Sequence, residues 1–244
     1  MMCDLSIKLN LKNYKMKKTI IVLLAITVIS ITTINAQTYL QGGLNIANIS
    51  TSNDGQTQSS NAIASFNAGF MGRFGISDFF DLEAGALFTG QGAKSTTNFG
   101  TNTITTTFRP YYVQVPLNAV IKFPLGDPKF TKANIFIFAG PYAAIGVGGR
   151  STTTNSLDGS QQSSSIKFDN EDPFTSDQEN AAYDKLKLWD FGINMGAGID
   201  FGPVLVKAQY GLGLTKINSE EGNNEENDKD KYRTVSISLG IKLY

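Results

Sequence analysis

Trp189-Asp190-Phe191-Gly192-Ile193-Asn194-Met195-Gly196-Ala197-Gly198-Ile199-Asp200-Phe201 decides the fold. Its odd-numbered residues are all apolar, and its even-numbered residues are Asp, Asn or Gly. A period of two puts successive side chains on opposite faces of an extended strand, so this strand has one greasy face and one polar face. A transmembrane strand tilted by about 45° needs about 9–11 residues, and this stretch is long enough.

The same alternation recurs along the chain. Downstream, Val206, Ala208, Tyr210, Leu212 and Leu214 alternate with Lys207, Gln209, Gly211 and Gly213, and Val235, Ile237, Leu239, Ile241 and Leu243 with Ser236, Ser238, Gly240 and Lys242. Upstream, Leu40, Leu44 and Ile46 mark a first strand. Phe66, Ala68, Phe70 and Phe74 mark a second; Leu82, Ala84, Ala86 and Phe88 a third; Tyr111, Val113, Val115, Leu117, Ala119 and Ile121 a fourth. Ile135, Ile137, Ala139, Ala143, Ile145 and Val147 mark another, opposite a face of Phe136, Phe138, Gly140, Tyr142 and Gly146. Eight strands are predicted, with no helical periodicity sustained beyond three turns.

Their connections alternate in length. Residues 77–79, 124–131 and 202–203 are short, whereas 50–60, 92–106, 149–187 and 217–231 are long, polar and rich in Ser, Thr, Asn and acids. Strict alternation gathers the long loops at one end and both termini at the other, as in outer-membrane barrels. Hydrocarbon offers no partner for a free N–H or C=O, so strands in lipid must close on themselves. The predicted fold is all-β: a single eight-stranded antiparallel transmembrane up-and-down β-barrel. Alternation alone does not say which face is inside, and a soluble lipocalin-like ligand carrier would turn the apolar face inward.

The amino end reads as an address. Lys17 and Lys18 precede the apolar run Thr19–Ile34, and Asn35-Ala36-Gln37 follows. This is the form of a cleaved secretory signal peptide, with Met16 as the natural start and cleavage expected after Ala36. The expected domains are 1–36, removed on export, and 37–244, the barrel. The latter carries 16 basic and 20 acidic groups, a net charge of −4, which disfavours nucleic acid as a partner. Aromatic rings cluster near segment ends, predicting interface girdles of Tyr39, Phe74, Phe123 and Phe201 at the short-turn end and Tyr111, Trp189 and Tyr232 at the long-loop end.

Asn35-Ala36-Gln37, Gly42-Gly43-Leu44-Asn45, Tyr112-Val113-Gln114-Val115-Pro116-Leu117 with Lys122-Phe123, Gly140-Pro141-Tyr142 and Leu239-Gly240-Ile241-Lys242-Leu243-Tyr244 follow in order across 37–244. This series resembles PorT-like outer-membrane β-barrel proteins, small porin-family barrels of Gram-negative envelopes. The resemblance implies an outer-membrane location. The family's founding member assists protein secretion, so an accessory role in envelope transport is one implication.

Eight strands leave an interior that side chains can fill. The polar faces hold Arg73, Asp81, Glu83, Lys122, Asp190, Asp200, Lys207 and Lys242, four of each sign. Buried charges need partners, so these eight are expected to form a lumen ion-pair network that plugs the barrel. Asp81 and Glu83, two apart on one strand face, are expected counter-ions of that network. The inward Phe136, Phe138 and Tyr142 are expected to fill space left by Gly192, Gly196 and Gly198. A narrow small-solute pore is the alternative.

The chain has no histidine and a single cysteine, Cys3. That removes the commonest general base and metal ligand. No catalytic, cofactor or metal site is expected, and the protein is read as a non-enzyme. The four long loops become the expected partner surface, meeting envelope proteins while the barrel meets the lipid bilayer as a monomer. Within them, Ser176-Asp177-Gln178-Glu179 has the form of a capping box. The acids Asp169, Glu171, Asp172, Glu220, Glu221, Glu225, Glu226, Asp228 and Asp230 are expected to be solvated charge.

Overall fold

In a computed structural model of the chain, residues 36–53, 56–59, 61–126, 133–168, 185–217 and 231–243 are described. Eight long strands form the barrel: β1 (Ala36–Asn53), β2 (Ile63–Gly75), β3 (Phe80–Gly90), β4 (Asn102–Pro124), β5 (Asn134–Asn155), β6 (Trp189–Asp200), β7 (Val204–Gly213) and β8 (Lys231–Leu243). Their hydrogen-bonded order is β4-β3-β2-β1-β8-β7-β6-β5, and β5 pairs back onto β4. The ring is therefore closed. β1 and β8, the first and last of the eight, pair in antiparallel register from Thr38↔Leu243 to Ser50↔Lys231.

The predicted alternation becomes an alternation of burial. Every second residue of β8 from Tyr232 to Gly240 is buried, with Arg233, Val235, Ile237, Leu239 and Ile241 exposed between them. The exposed face is the apolar one: Leu44 is 72% exposed, Ile237 64% and Phe70 60%, while Glu83 is 0% and Lys207 2%. Soluble proteins almost never bury Lys and Glu unless paired, and they do not wrap a belt of Leu, Ile and Phe around their outside. The soluble-carrier assignment is thereby overturned, because the apolar residues do not line an interior.

Two of the predicted long loops, and part of a third, are sheet instead. β1 continues to Asn53 and pairs with Gln56–Ser59. The strand Ala93–Phe99 pairs with Asn102–Phe108 at the start of β4, and β4 pairs with β5 as far as Ile104↔Asn155. Gln161–Ser165 pairs with the far end of β5. Runs such as Thr105-Thr106-Thr107 and Thr152-Thr153-Thr154 favour strands through β-branching. They show no apolar alternation because both their faces meet water. Threonine pairs bridge the strands, as Thr106 and Thr153 do at 3.2 Å. The barrel thus continues beyond its apolar belt as polar ribbons.

Candidate functional site

The lumen is filled in three levels. Nearest the short turns lies a charge cluster. Arg73 on β2 and Glu83 on β3 are directly opposite in the register, and the guanidinium meets the carboxylate at 2.9 Å. Lys207 on β7 reaches the other oxygen of Glu83 at 2.6 Å. Tyr39 donates its hydroxyl to Glu83 at 2.7 Å and Asn118 its amide at 3.2 Å. Arg73 also lies 3.5 Å from Asp200, which Lys242 holds at 2.8 Å. Asp81 pairs separately with Lys122 at 2.6 Å, at the rim.

Glycines set this cluster's walls. Gly196 and Gly198 on β6 face Phe138 and Phe136 on β5, and a methyl group at either glycine would overlap the opposing ring. The rings occupy that space and present their faces to cations. Arg73 sits 4.3 Å from the centroid of Phe136 and Lys207 4.5 Å from that of Phe138. Each buried cation is thus shared between a carboxylate and an aromatic face.

Above the charges is a layer of amides and hydroxyls. Gln41 donates to Asn67 at 3.1 Å, Asn67 to Asn45 at 2.6 Å, and Asn45 to Thr89 at 2.9 Å. Across the lumen, Thr234 donates to Gln91 at 2.7 Å. These residues, with Gln114, Asn194 and Ser236, line a cavity of ≈ 20 Å³. That is room for about one water molecule.

A third level caps the ribbon end. Tyr112, Tyr142 and Tyr232 point inward and pack with Ile166, Leu186 and Ile217, which are buried. The Tyr112 and Tyr232 hydroxyls are 3.1 Å apart, and Phe168 stacks edge-on against Tyr112. Asp190 accepts from Tyr142 at 2.9 Å and from Thr215 at 2.5 Å. The described parts of 149–187 and 217–231 therefore include side chains folded into the barrel mouth.

Three expected placements are corrected. Tyr39 and Tyr232, assigned to the girdles, are 0% and 1% exposed and point into the lumen. Each is an odd number of positions from the outward residues of its strand, Leu40 and Val235, so parity turns it inward whatever its distance from the strand end. Asp190, assigned to the ion-pair network, bonds hydroxyls instead. It is the second residue of β6 whereas Asp200 is the last, roughly 33 Å away at the rise of an extended strand. Parity gives the side of a residue and not its height. Phe123, Phe201 and Trp189 are exposed, Phe74 and Tyr111 half-buried. Tyr111 packs with Phe66 and Phe88 on the outer surface, as Trp189 does with Phe191.

Sequence reasoning missed the cap. Ile166 and Phe168, two apart in a polar stretch, are a short alternation that marks an inward-facing pair. All of the expected signal segment 1–36 but Ala36, which opens β1, lies outside the described residues, as do the capping box at 176–179 and the acids of 169–172 and 220–230.

A family model described as outer membrane protein beta-barrel domain matches residues 33–219. No curated protein matches the chain. Among solved structures, Neisserial surface protein A aligns over 86% of this chain and 99% of its own at 14% identity and TM-score 0.42. Ail, the attachment invasion locus protein of Yersinia pestis, aligns over 85% and 99% at 13% identity and TM-score 0.39. OprG from Pseudomonas aeruginosa aligns over 86% and 97% at 13% identity and TM-score 0.38.

Proposed function

The chain belongs to the outer membrane protein beta-barrel domain family, and from that premise we propose that it is a closed, non-conducting scaffold which holds polar β-ribbons outside the membrane as a surface for envelope partners. On this reading residues 1–36 direct export and are removed, and the barrel of 37–244 acts as a monomer without catalytic chemistry. The observation that carries the reading is the filling of the lumen. An ion cluster, an amide layer and an apolar tyrosine cap lie in series along it, and a solute would have to part all three. The ribbons support the other half of the reading, because strands in register present side chains more rigidly than irregular loops do.

Planar-bilayer recording of the purified full chain tests it. No steady conductance is expected in salt solution at voltages that keep the bilayer intact. Reproducible open channels from the wild-type chain would replace this reading with that of a narrow small-solute pore.

A further inference from the structure

Arg109 on β4 and Arg150 on β5 are directly opposite each other in the register, and both are exposed. Like charges facing each other across strands repel and destabilise a sheet. Among the described residues no carboxylate relieves this pair. Asp81, Glu83, Asp190 and Asp200 are buried in the lumen; Asp78 lies in the turn after β2, and Asp158 lies at the tip beyond β5. Lys94 pairs with Thr107, the residue two before Arg109, and so adds a third cation on the same face.

The height of the pair suggests what covers it. Tyr111 is two residues from Arg109 toward the apolar belt, about 7 Å along the strand. It stacks on Phe88, with ring centroids 5.6 Å apart. Aromatic rings of this kind sit at the headgroup boundary. The two guanidinia thus project from the outer surface of the barrel just above that boundary, at the level of lipid phosphates.

We propose that Arg109 and Arg150, assisted by Lys94, form a clamp for the phosphate groups of the outer-leaflet glycolipid. The inference rests on the reading that the ribbon end faces outward. A guanidinium fork matches phosphate oxygens in bidentate fashion, and one phosphate shared by two forks turns their repulsion into attraction. A carboxylate from a soluble partner would have to reach the membrane interface to do the same, whereas lipid phosphate is already there.

The test uses the purified full chain and the double variant Arg109→Gln/Arg150→Gln in detergent micelles doped with bisphosphorylated lipid A or with its dephosphorylated form. Unboiled gel mobility reports that each protein is folded. The wild type should bind the phosphorylated form, and the double variant should bind it about tenfold or more weakly, the loss expected for one charge-assisted contact. Both should bind the dephosphorylated form equally poorly. Equal binding by the two proteins, or no preference for the phosphorylated lipid, would overturn the clamp. Displacement of lipid A by millimolar inorganic phosphate would also overturn it, showing a site for free anion. A wild-type chain with no gel shift would refute the barrel reading, a separate failure. In micelles free of lipid A the sign should reverse, because the variant loses only repulsion and should unfold no more readily than wild type.

Discussion

Replacing Glu83 with Ala should cost about 3–5 kcal/mol of stability, because it removes one partner of a buried ion pair and leaves the others charged. Glu83 is 0% exposed. It accepts from Arg73, Lys207, Tyr39 and Asn118 at once. After the substitution Lys207, itself 2% exposed, would lose its carboxylate and keep the weak contact with the Tyr39 hydroxyl at 3.4 Å and the ring faces of Tyr39 and Phe138. Denaturant unfolding in lipid vesicles, followed by loss of the unboiled band, measures this. Adding Lys207→Met should recover part of the loss, since the second change deletes a charge that the first had stranded. A loss below about 1 kcal/mol for Glu83→Ala would mean that the cluster is hydrated and the lumen open at this level.

The second large effect is expected on the opposite face. Ile237 lies at the middle of β8, 64% exposed, beside Leu44 of β1 and Ala208 of β7. If this face meets hydrocarbon, Ile237→Arg should destabilise the barrel in vesicles by about 2–4 kcal/mol, the cost of a guanidinium at the bilayer midplane. Gln161→Arg on the ribbon, exposed and opposite Thr154, should change stability by no more than about 0.5 kcal/mol. Equal and small effects at both positions would mean that Ile237 faces water. The pair of substitutions reads the inside-out arrangement from outside, as the Glu83 variant reads it from within.

Both predictions depend on features that the sequence displays unequally. Alternation is strongest where one face is in lipid and the other in the lumen, so all eight barrel strands were legible from Leu40, Phe70, Ile237 and their neighbours. It fades where both faces are wet. The threonine runs of β4 and β5 therefore read as loop although they pair strand to strand, with Thr105 opposite Thr154. Parity also carried the inward direction of Arg73, Glu83 and Lys207, while their meeting at one carboxylate depends on register and strand tilt, which no local pattern encodes. Asp190 shows the gap most clearly: its face was evident and its height was not. Tyr39 and Tyr232 show the reverse: each lies near a strand end, as a girdle residue would, yet parity turns it inward. The register break between Tyr111 and Tyr112 is hidden for another reason. An extra residue there leaves both flanking segments perfectly alternating. The cap of Ile166, Phe168, Leu186 and Ile217 escapes because these residues come from separate segments that meet only once the barrel closes.

The most direct test of the central claim, a closed barrel inserted in the outer membrane with its apolar face to lipid, is heat-modifiability. The full chain is expressed in a Gram-negative host, the envelope is fractionated, and unboiled and boiled samples are compared on a denaturing gel. Recovery in the outer-membrane fraction is expected, with an unboiled band that shifts in mobility on boiling as the hydrogen-bonded ring opens. Recovery as soluble periplasmic protein, with one mobility before and after boiling, would contradict it.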